Sequence, residues 1–332
     1  MKEIRTEEAV GQVLCHDMTQ IIRGVTKDAV FRKGHVVTEE DIPVLLSIGK
    51  EHIYVWDDTE GMVHENDGAA VLRDLSRGEN LTAGEAKEGK IALKADIDGL
   101  LKIDSERLIA VNSVPEVMIA TKRGNTAVKK GQTVAAMRVI PLMIAATRLE
   151  EARQAAGDRP IINVLPFRPR KAAVLATGSE IYKGRIKDTF TPVVVGKLAD
   201  YGAEAADCRI LDDNAAVTTE NILDAINKGA ELVCVTGGMS VDPDDRTPLA
   251  IRQTGAEVVT YGTPVLPGAM LMLAYYGKKE ADGTERIVPI VGLPGCVMYA
   301  GTTVFDRLLP RLMADDRITR DEICRMGEGG LN

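Results

Sequence analysis

From Lys171 onward the chain alternates short, uninterrupted apolar runs with segments of helical periodicity, and few folds accommodate that pattern. AAVLA (172–176), EAADCRIL (204–211), ELVCV (231–235), AEVVTY (256–261) and IVPIV (287–291) have the length and composition of strands. Between the first two, Phe190, Val194, Leu198 and Tyr201 recur at helical spacing, and Ile222, Leu223 and Ile226 do so after the second. Further helices are expected near 246–254 and from about 297 to 313. Apolar strands linked by helices predict an α/β domain over 171–314, a parallel sheet flanked by helices. Ligands of such sheets bind beyond the carboxyl ends of the strands, so the loops at those ends are the place to look.

The preceding chain has different rhythms. Residues 1–60 read as a small α+β segment: Thr38 as N-cap before EEDIPVLLSIG, Gly49 as the stop, then HIYVW (52–56) as a strand. Residues 61–85 are polar and read as a connector. KIALKA, GLLKI, RLIAV, VMIATKR and TVAAMRVI, separated by turn residues, predict a β-rich middle domain over 86–142, a small barrel or sandwich. A helix over 143–156 and a linker bearing Pro160, Pro166 and Pro169 lead into the last domain.

Several function classes drop out. A net charge of −8 with 4% aromatics lacks the basic, stacking signature of a nucleic-acid binder. The longest apolar stretch, 264–277, is broken by Gly and Pro and too short to span a bilayer, and no apolar leader follows the charged first ten residues. The expectation is a cytoplasmic protein with no membrane and no nucleic-acid partner. Five cysteines without a CxxC argue against a disulfide framework or structural zinc. All four histidines (His16, His35, His52, His64) precede residue 65, so a site in the last domain draws on carboxylates, hydroxyls, lysines, cysteines or a hard metal ion. No GxxxxGK[ST], GxGxxG or GxSxG motif occurs.

The strand-end loops are TGSEIYKGRIKD (177–188), LDDN (211–214), TGGMSVDPDDRTP (236–248) and GLPG (292–295). Three deliver carboxylates: Asp188, Asp213, and the run Asp242, Asp244, Asp245. Gly237 and Gly238 allow backbone to approach an anion closely before a helix N-terminus. Carboxylates beside a phosphate imply Mg²⁺ between them. Each residue also has a plain structural reading. Asp188 is placed to cap the helix after Thr189, Asp213 and Asn214 suit a turn, and DPDD suits a solvated loop. Lys183, Arg185 and Lys187 read either as solvated residues or as positive charge for a phosphate, and Cys296 as a buried thiol or one activated at a helix start.

TGSEI (177–181), GRIKD (184–188), LDD (211–213), TGGMS (236–240), DDRTP (244–248) and GLPG (292–295) resemble, in order, the motifs of a known domain. It is the molybdopterin-binding domain of molybdenum cofactor biosynthesis proteins, shared by molybdopterin adenylyltransferases, molybdenumtransferases and gephyrin. Residues 7–18 and 31–55 are similar to segments flanking the inserted domain of the molybdenumtransferases. The resemblance implies molybdopterin or its adenylylated form as ligand, molybdate as co-substrate and Mg²⁺ as cofactor. It places Asp188, Asp213 and Asp245 in catalytic positions, with Asp213 and Asp245 on the metal. Thr177, Gly178, Ser179, Glu180, Gly237, Gly238, Ser240, Pro294 and Gly295 fall in the pterin-phosphate loops. A homo-oligomer is also implied.

The chain departs from the family pattern. Ser179 stands where an Asp follows TG, Leu266 and Ala269 replace basic residues, and Cys296 and Val297 follow GLPG. The first reading is therefore a molybdenumtransferase-like enzyme. The second is a non-catalytic carrier or sensor of the cofactor that docks on a client molybdoenzyme. The third is a nucleotide pyrophosphohydrolase, because LDDN and GGMSVDPDD also resemble competence-damage-inducible proteins.

Overall fold

In the computed structural model, residues 2–22, 26–55, 60–243 and 245–331 are described. Two compact units separate: one of residues 1–97, 102–124 and 130–164, the other of 98–101, 125–129 and 165–332.

The second unit carries the α/β pattern. Its strands are β1 (Lys171–Thr177), β2 (Glu204–Leu211), β3 (Leu232–Thr236), β4 (Glu257–Tyr261), β5 (Met272–Lys279) and β6 (Glu285–Leu293). They form one sheet in the order β2-β1-β3-β6-β5-β4. β2, β1, β3 and β6 run parallel, and β5 is antiparallel to both neighbours. The apolar runs read from the sequence become strands: 204–211 matches β2 at both ends, and the others differ from their strands by one or two residues at an end. β5 is an additional strand that begins within the 264–277 stretch and runs on to Lys279, and it lets β4 point the same way as β6.

The helices are α1 (Ser179–Tyr182), α2 (Phe190–Ala199), α3 (Ala215–Asn227), α4 (Thr247–Gln253), α5 (Val304–Met313) and α6 (Arg320–Arg325). Period-2 alternation along each strand explains why both faces are covered. Val174, Cys234, Leu273 and Val291 pack on one face with Val194 and Leu198 of α2 and Phe305 and Leu308 of α5. Leu175, Val233, Ala274 and Ile290 pack on the other with Ile222 and Ile226 of α3 and Ile251 of α4. Each fully buried Val, Leu or Ile contributes about 1.5–3 kcal/mol, which is what makes this sheet the rigid platform. α5 begins at Val304, not near 297. Thr303 and Asp306 form a capping box there, while Gly295–Met298 is a separate 3₁₀ turn.

In the first unit, Lys2–Arg5 pairs antiparallel with His52–Val55, and Met18–Ile22 with Thr26–Phe31. Leu14, Met18, Val37, Leu45 and Ile53 form their core. The helix there starts at Asp41, three residues past Thr38. The Thr38 N–H and hydroxyl both donate to Asp41 Oδ2 at 2.8 Å, so the threonine orders the turn before the helix instead of capping it. Gly49 ends the segment with φ +80°. The expected strand over 52–56 covers His52–Val55, and residue 56 lies outside the described residues.

Residues 61–85 are not a plain connector. They hold strands Met62–His64 and Leu81–Ala83 and the helix Glu65–Ser76. That helix buries Gly68, Ala69, Leu72 and Ser76. Its approach is close: a Cβ on Gly68 would come within 2.9 Å of Val139. The segment RLIAV, expected as a strand, lies in the helix Ser105–Asn112, because the Asp104 carboxylate accepts the Arg107 N–H at 3.1 Å and caps it. Leu81–Ala83, Lys90–Ala95, Thr133–Val139 and Val117–Thr121 form a four-stranded antiparallel sheet in that order. No helix among the described residues is long and apolar enough to cross a membrane.

Candidate functional site

The strand register brings the loops of interest to one level. Thr177 stands opposite Leu211, Ala176 opposite Thr236, Thr236 opposite Leu293, and Gly292 opposite Met272. The segments 178–189, 212–214, 237–246 and 294–299, together with 266–270 entering β5, therefore leave the same sheet edge.

At its centre Gly237 crosses Thr177. Gly237 has φ +87°, and a Cβ there would collide with the Thr177 carbonyl oxygen and come within 2.8 Å of its hydroxyl oxygen. Buried Thr177 donates its hydroxyl to the Thr236 carbonyl at 3.1 Å and lies 3.3 Å from the Thr247 hydroxyl. The Thr247 N–H donates to the Gly238 carbonyl at 3.2 Å. These contacts lock the TGG loop to the start of α4. Tyr261, at the end of β4, extends the lock by placing its hydroxyl 3.2 Å from the Met239 carbonyl and 3.4 Å from that of Ser240. Burial, then the nearby Asp245 carboxylate, raises the Tyr261 pKa, with Arg252 opposing.

Beside this lock lies a cleft of about 570 Å³. Gly237, Gly238, Ser240, Asp245, Pro294 and Gly295 all line it, so six of the residues picked out in the sequence converge there. Its other walls are mainly apolar, from Met239, Leu266, Pro267, Met270, Met298 and Tyr299. No lysine or arginine lines it among the described residues; Lys183, Arg185 and Lys187 are exposed on the loop after β1. Asp245 is half-buried, and its Oδ2 accepts the Asp242 N–H at 3.1 Å. Asp244 lies outside the described residues.

The remaining predicted residues stand outside the cleft lining. Asp188 Oδ1 accepts the N–H groups of Phe190 (2.9 Å) and Thr191 (3.0 Å), which is an N-cap on α2. Asp213 Oδ2 accepts the Ser179 N–H at 2.7 Å and its hydroxyl at 3.0 Å, tying the loop after β1 to the loop after β2. Asn214 caps α3 by accepting the Val217 N–H at 3.1 Å. Gly178 and Glu180 lie in the turn tied by Asp213: the Gly178 N–H donates to the Leu211 carbonyl at 3.1 Å, and the Glu180 carbonyl accepts the Arg185 N–H at 2.8 Å. The Thr189 hydroxyl donates to the Met298 sulfur at 2.9 Å, which connects the Asp188 loop to a wall of the cleft. Tyr261 and the apolar residues Met298 and Tyr299 were not picked out in the sequence, where nothing in their spacing marks them. Cys296 lines the cleft, but burial pushes its thiol pKa up, opposite to activation at a helix start.

Among the described residues, no group of three or more His, Cys, Asp or Glu side chains is placed to hold a metal ion. The cleft's carboxylate, Asp245, accepts the Asp242 N–H at Oδ2, with no hydrogen bond to Oδ1 among the described residues, and one carboxylate with ligand phosphates is a usual way to hold Mg²⁺. The donor set fits an ion that arrives with its phosphate ligand, and does not form a cage by itself.

Residues 173–314 match the family described as "Probable molybdopterin binding domain", and residues 3–57 match a domain of unknown function, DUF8806. A CinA-like protein of Thermosipho melanesiensis is 34% identical over 91 residues, covering 27% of this chain and 22% of that protein. A putative competence-damage inducible protein of Streptococcus pneumoniae is 26% identical over 179 residues, covering 45% of this chain and 42% of the relative. The chain thus spans less than half the length of these curated relatives. The tungsten cofactor synthesizing protein MoaB of Pyrococcus furiosus has 18% identity, with a TM-score of 0.36, covering 46% of this chain and 99% of that one.

Proposed function

We propose that the α/β unit, whose residues 173–314 form a molybdopterin-binding-type domain, takes molybdopterin or its adenylylated form along the cleft beside Asp245. The observation that carries this reading is the convergence of Gly237, Gly238, Ser240, Pro294, Gly295 and Asp245 on one cavity at the carboxyl edge of the parallel strands. Glycines there admit the ligand's phosphate close to the backbone, and the apolar walls suit a flat ring. The three acids divide their work: Asp188 and Asp213 hold the loops in position, and Asp245 faces the ligand.

Asp245 and the ligand phosphates would hold Mg²⁺, which would supply the charge neutralisation that the cleft, with no lysine or arginine among its described lining residues, lacks. The reaction that follows from this reading is Mg²⁺-dependent cleavage of adenylylated molybdopterin with insertion of molybdate. Its test is anaerobic incubation with that substrate, molybdate and Mg²⁺. AMP release that is lost in Asp245→Asn supports it, and no release under any condition removes it.

A second reading is favoured by Leu266 and Ala269, which leave the 266–270 wall of the cleft without a cation. On that reading the protein carries or senses the cofactor without turning it over and hands it to a client molybdoenzyme. Retention of intact pterin without AMP release distinguishes it. The likeness to competence-damage inducible proteins motivates a third assay, hydrolysis of ADP-ribose and related dinucleotides. Activity there, with no pterin retained, moves the assignment to a pyrophosphohydrolase.

A further inference from the structure

The amino edge of the same sheet, opposite the cleft, opens on a second cavity of about 490 Å³, within the usual size of small-molecule sites. Tyr275, Ile287, Pro289 and Leu312 give it an apolar floor. Arg168, Arg170, Arg286 and Arg317 surround that floor.

The guanidinium groups differ in how their donors are used. Arg286 has a partner at each nitrogen, with Glu280 at 2.7 Å and the carbonyls of Ala230 at 2.8 Å and Ile226 at 3.4 Å. Arg170 is only 9% exposed at its side chain; it pairs with Asp315 and donates to the Glu231 carbonyl at 3.2 Å, yet its Nε is buried with no partner. Burial lowers its pKa; Glu231 opposes the shift, and the neighbouring charges of Arg168 and Arg286 add to it. Arg168 spends one nitrogen on Asp315 at 2.9 Å, and Arg317 one on Glu257 at 2.7 Å. Arg317 also lies 4.8 Å above the Tyr275 ring. A buried N–H without an acceptor is costly, and a guanidinium is shaped to give paired donors to a phosphate or carboxylate. The three acids in the lining are engaged, Asp315 by Arg168 and Arg170, Asp316 by Arg311 and Glu231 by the Lys171 N–H, which leaves a ligand oxyanion as a suitable acceptor for the remaining guanidinium donors.

We propose that this cavity is a second ligand site, for a small molecule that joins one oxyanion, a phosphate ester or a carboxylate, to a flat apolar body. The oxyanion meets Arg168, Arg170 and Arg317, and the body lies on Ile287, Pro289 and Leu312.

Calorimetric titration of the full chain at low salt with phenyl phosphate, benzoate and inorganic phosphate tests this. Phenyl phosphate or benzoate is expected to bind at least about tenfold more tightly than inorganic phosphate. Arg168→Ala and Arg317→Ala, at side chains 69% and 50% exposed, are each expected to weaken that binding about tenfold without lowering the melting temperature. Ile287→Glu, at a position 40% exposed, should abolish it by placing a carboxylate on the floor. Binding that none of these variants changes belongs elsewhere on the protein and overturns the proposal. Inorganic phosphate binding as tightly as phenyl phosphate, or no binding of any probe at millimolar concentration, overturns it as well.

Discussion

Ser179 gives both of its donors to one oxygen of Asp213, its N–H at 2.7 Å and its hydroxyl at 3.0 Å. The pair joins the loops after β1 and β2, and it accounts for a serine at a position where the resembling family has an aspartate. Two carboxylates would repel there, whereas a hydroxyl completes the acceptor. Asp213→Ala is expected to cost about 1.5–3 kcal/mol of stability, because two donors to a charged acceptor lose their partner. Asp213→Asn should lie between. Denaturant midpoints check the series; a loss of Mg²⁺ dependence with no change in midpoint would make Asp213 a metal ligand instead.

Gly237 and Gly295 line the same cleft but tolerate substitution differently. At Gly237, φ +87° and the collision with the Thr177 carbonyl predict that Gly237→Ala costs more than about 2 kcal/mol. At Gly295 nothing lies within 4 Å of an added Cβ, so Gly295→Ala should be within about 0.5 kcal/mol of wild type. Paired urea titrations measure both.

The thiols should react in an order set by burial. Cys208 and Cys324 are exposed, whereas Cys15 and Cys234 are buried, and burial pushes the Cys234 thiol up to about 12. Under native conditions a thiol reagent should label Cys208 and Cys324 first, Cys296 more slowly, and Cys15 and Cys234 after unfolding. Rapid native labelling of Cys234, read by peptide mass, would contradict the packing of β3.

His16 gives the first unit a pH dependence. Burial, then Lys50 and His64, lowers its pKa below 6.5, with Asp17 opposing. The unfolded chain therefore binds more protons just below pH 6.5 than the folded one, and stability falls as pH drops through that window. Glu65, raised by burial, acts with the opposite sign as pH falls through its folded pKa, above 4.5. Thermal melts between pH 5 and 8 should show a shallower slope in His16→Gln than in wild type.

Legibility in the sequence followed what each element buries. β1, β3 and β6 bury both faces and so stand out as apolar runs. β5 ends in Gly277, Lys278 and Lys279 and begins within a Gly- and Pro-broken stretch, so no period marks it. The helix Glu65–Ser76 was unreadable because three of the four residues it buries, Gly68, Ala69 and Ser76, are small and only Leu72 is a large apolar residue. RLIAV carries strand-like residues, and only Asp104 at its cap signals the helix. For the site, the motifs located the sheet edge. They did not distinguish an acid that faces the cleft, Asp245, from acids that cap or tie loops, Asp188 and Asp213, since that depends on which backbone donors lie within reach.

The most direct test of the central claim is the anaerobic dissociation constant for molybdopterin, with and without Mg²⁺, in wild type and Gly295→Trp. Gly295 lines the cleft and nothing lies within 4 Å of a Cβ added there, so a large side chain at this position starts from open space. The account predicts Mg²⁺-dependent binding to wild type, weakened at least about tenfold in Gly295→Trp at unchanged melting temperature. Equal binding by both proteins would place the pterin elsewhere and contradict the account.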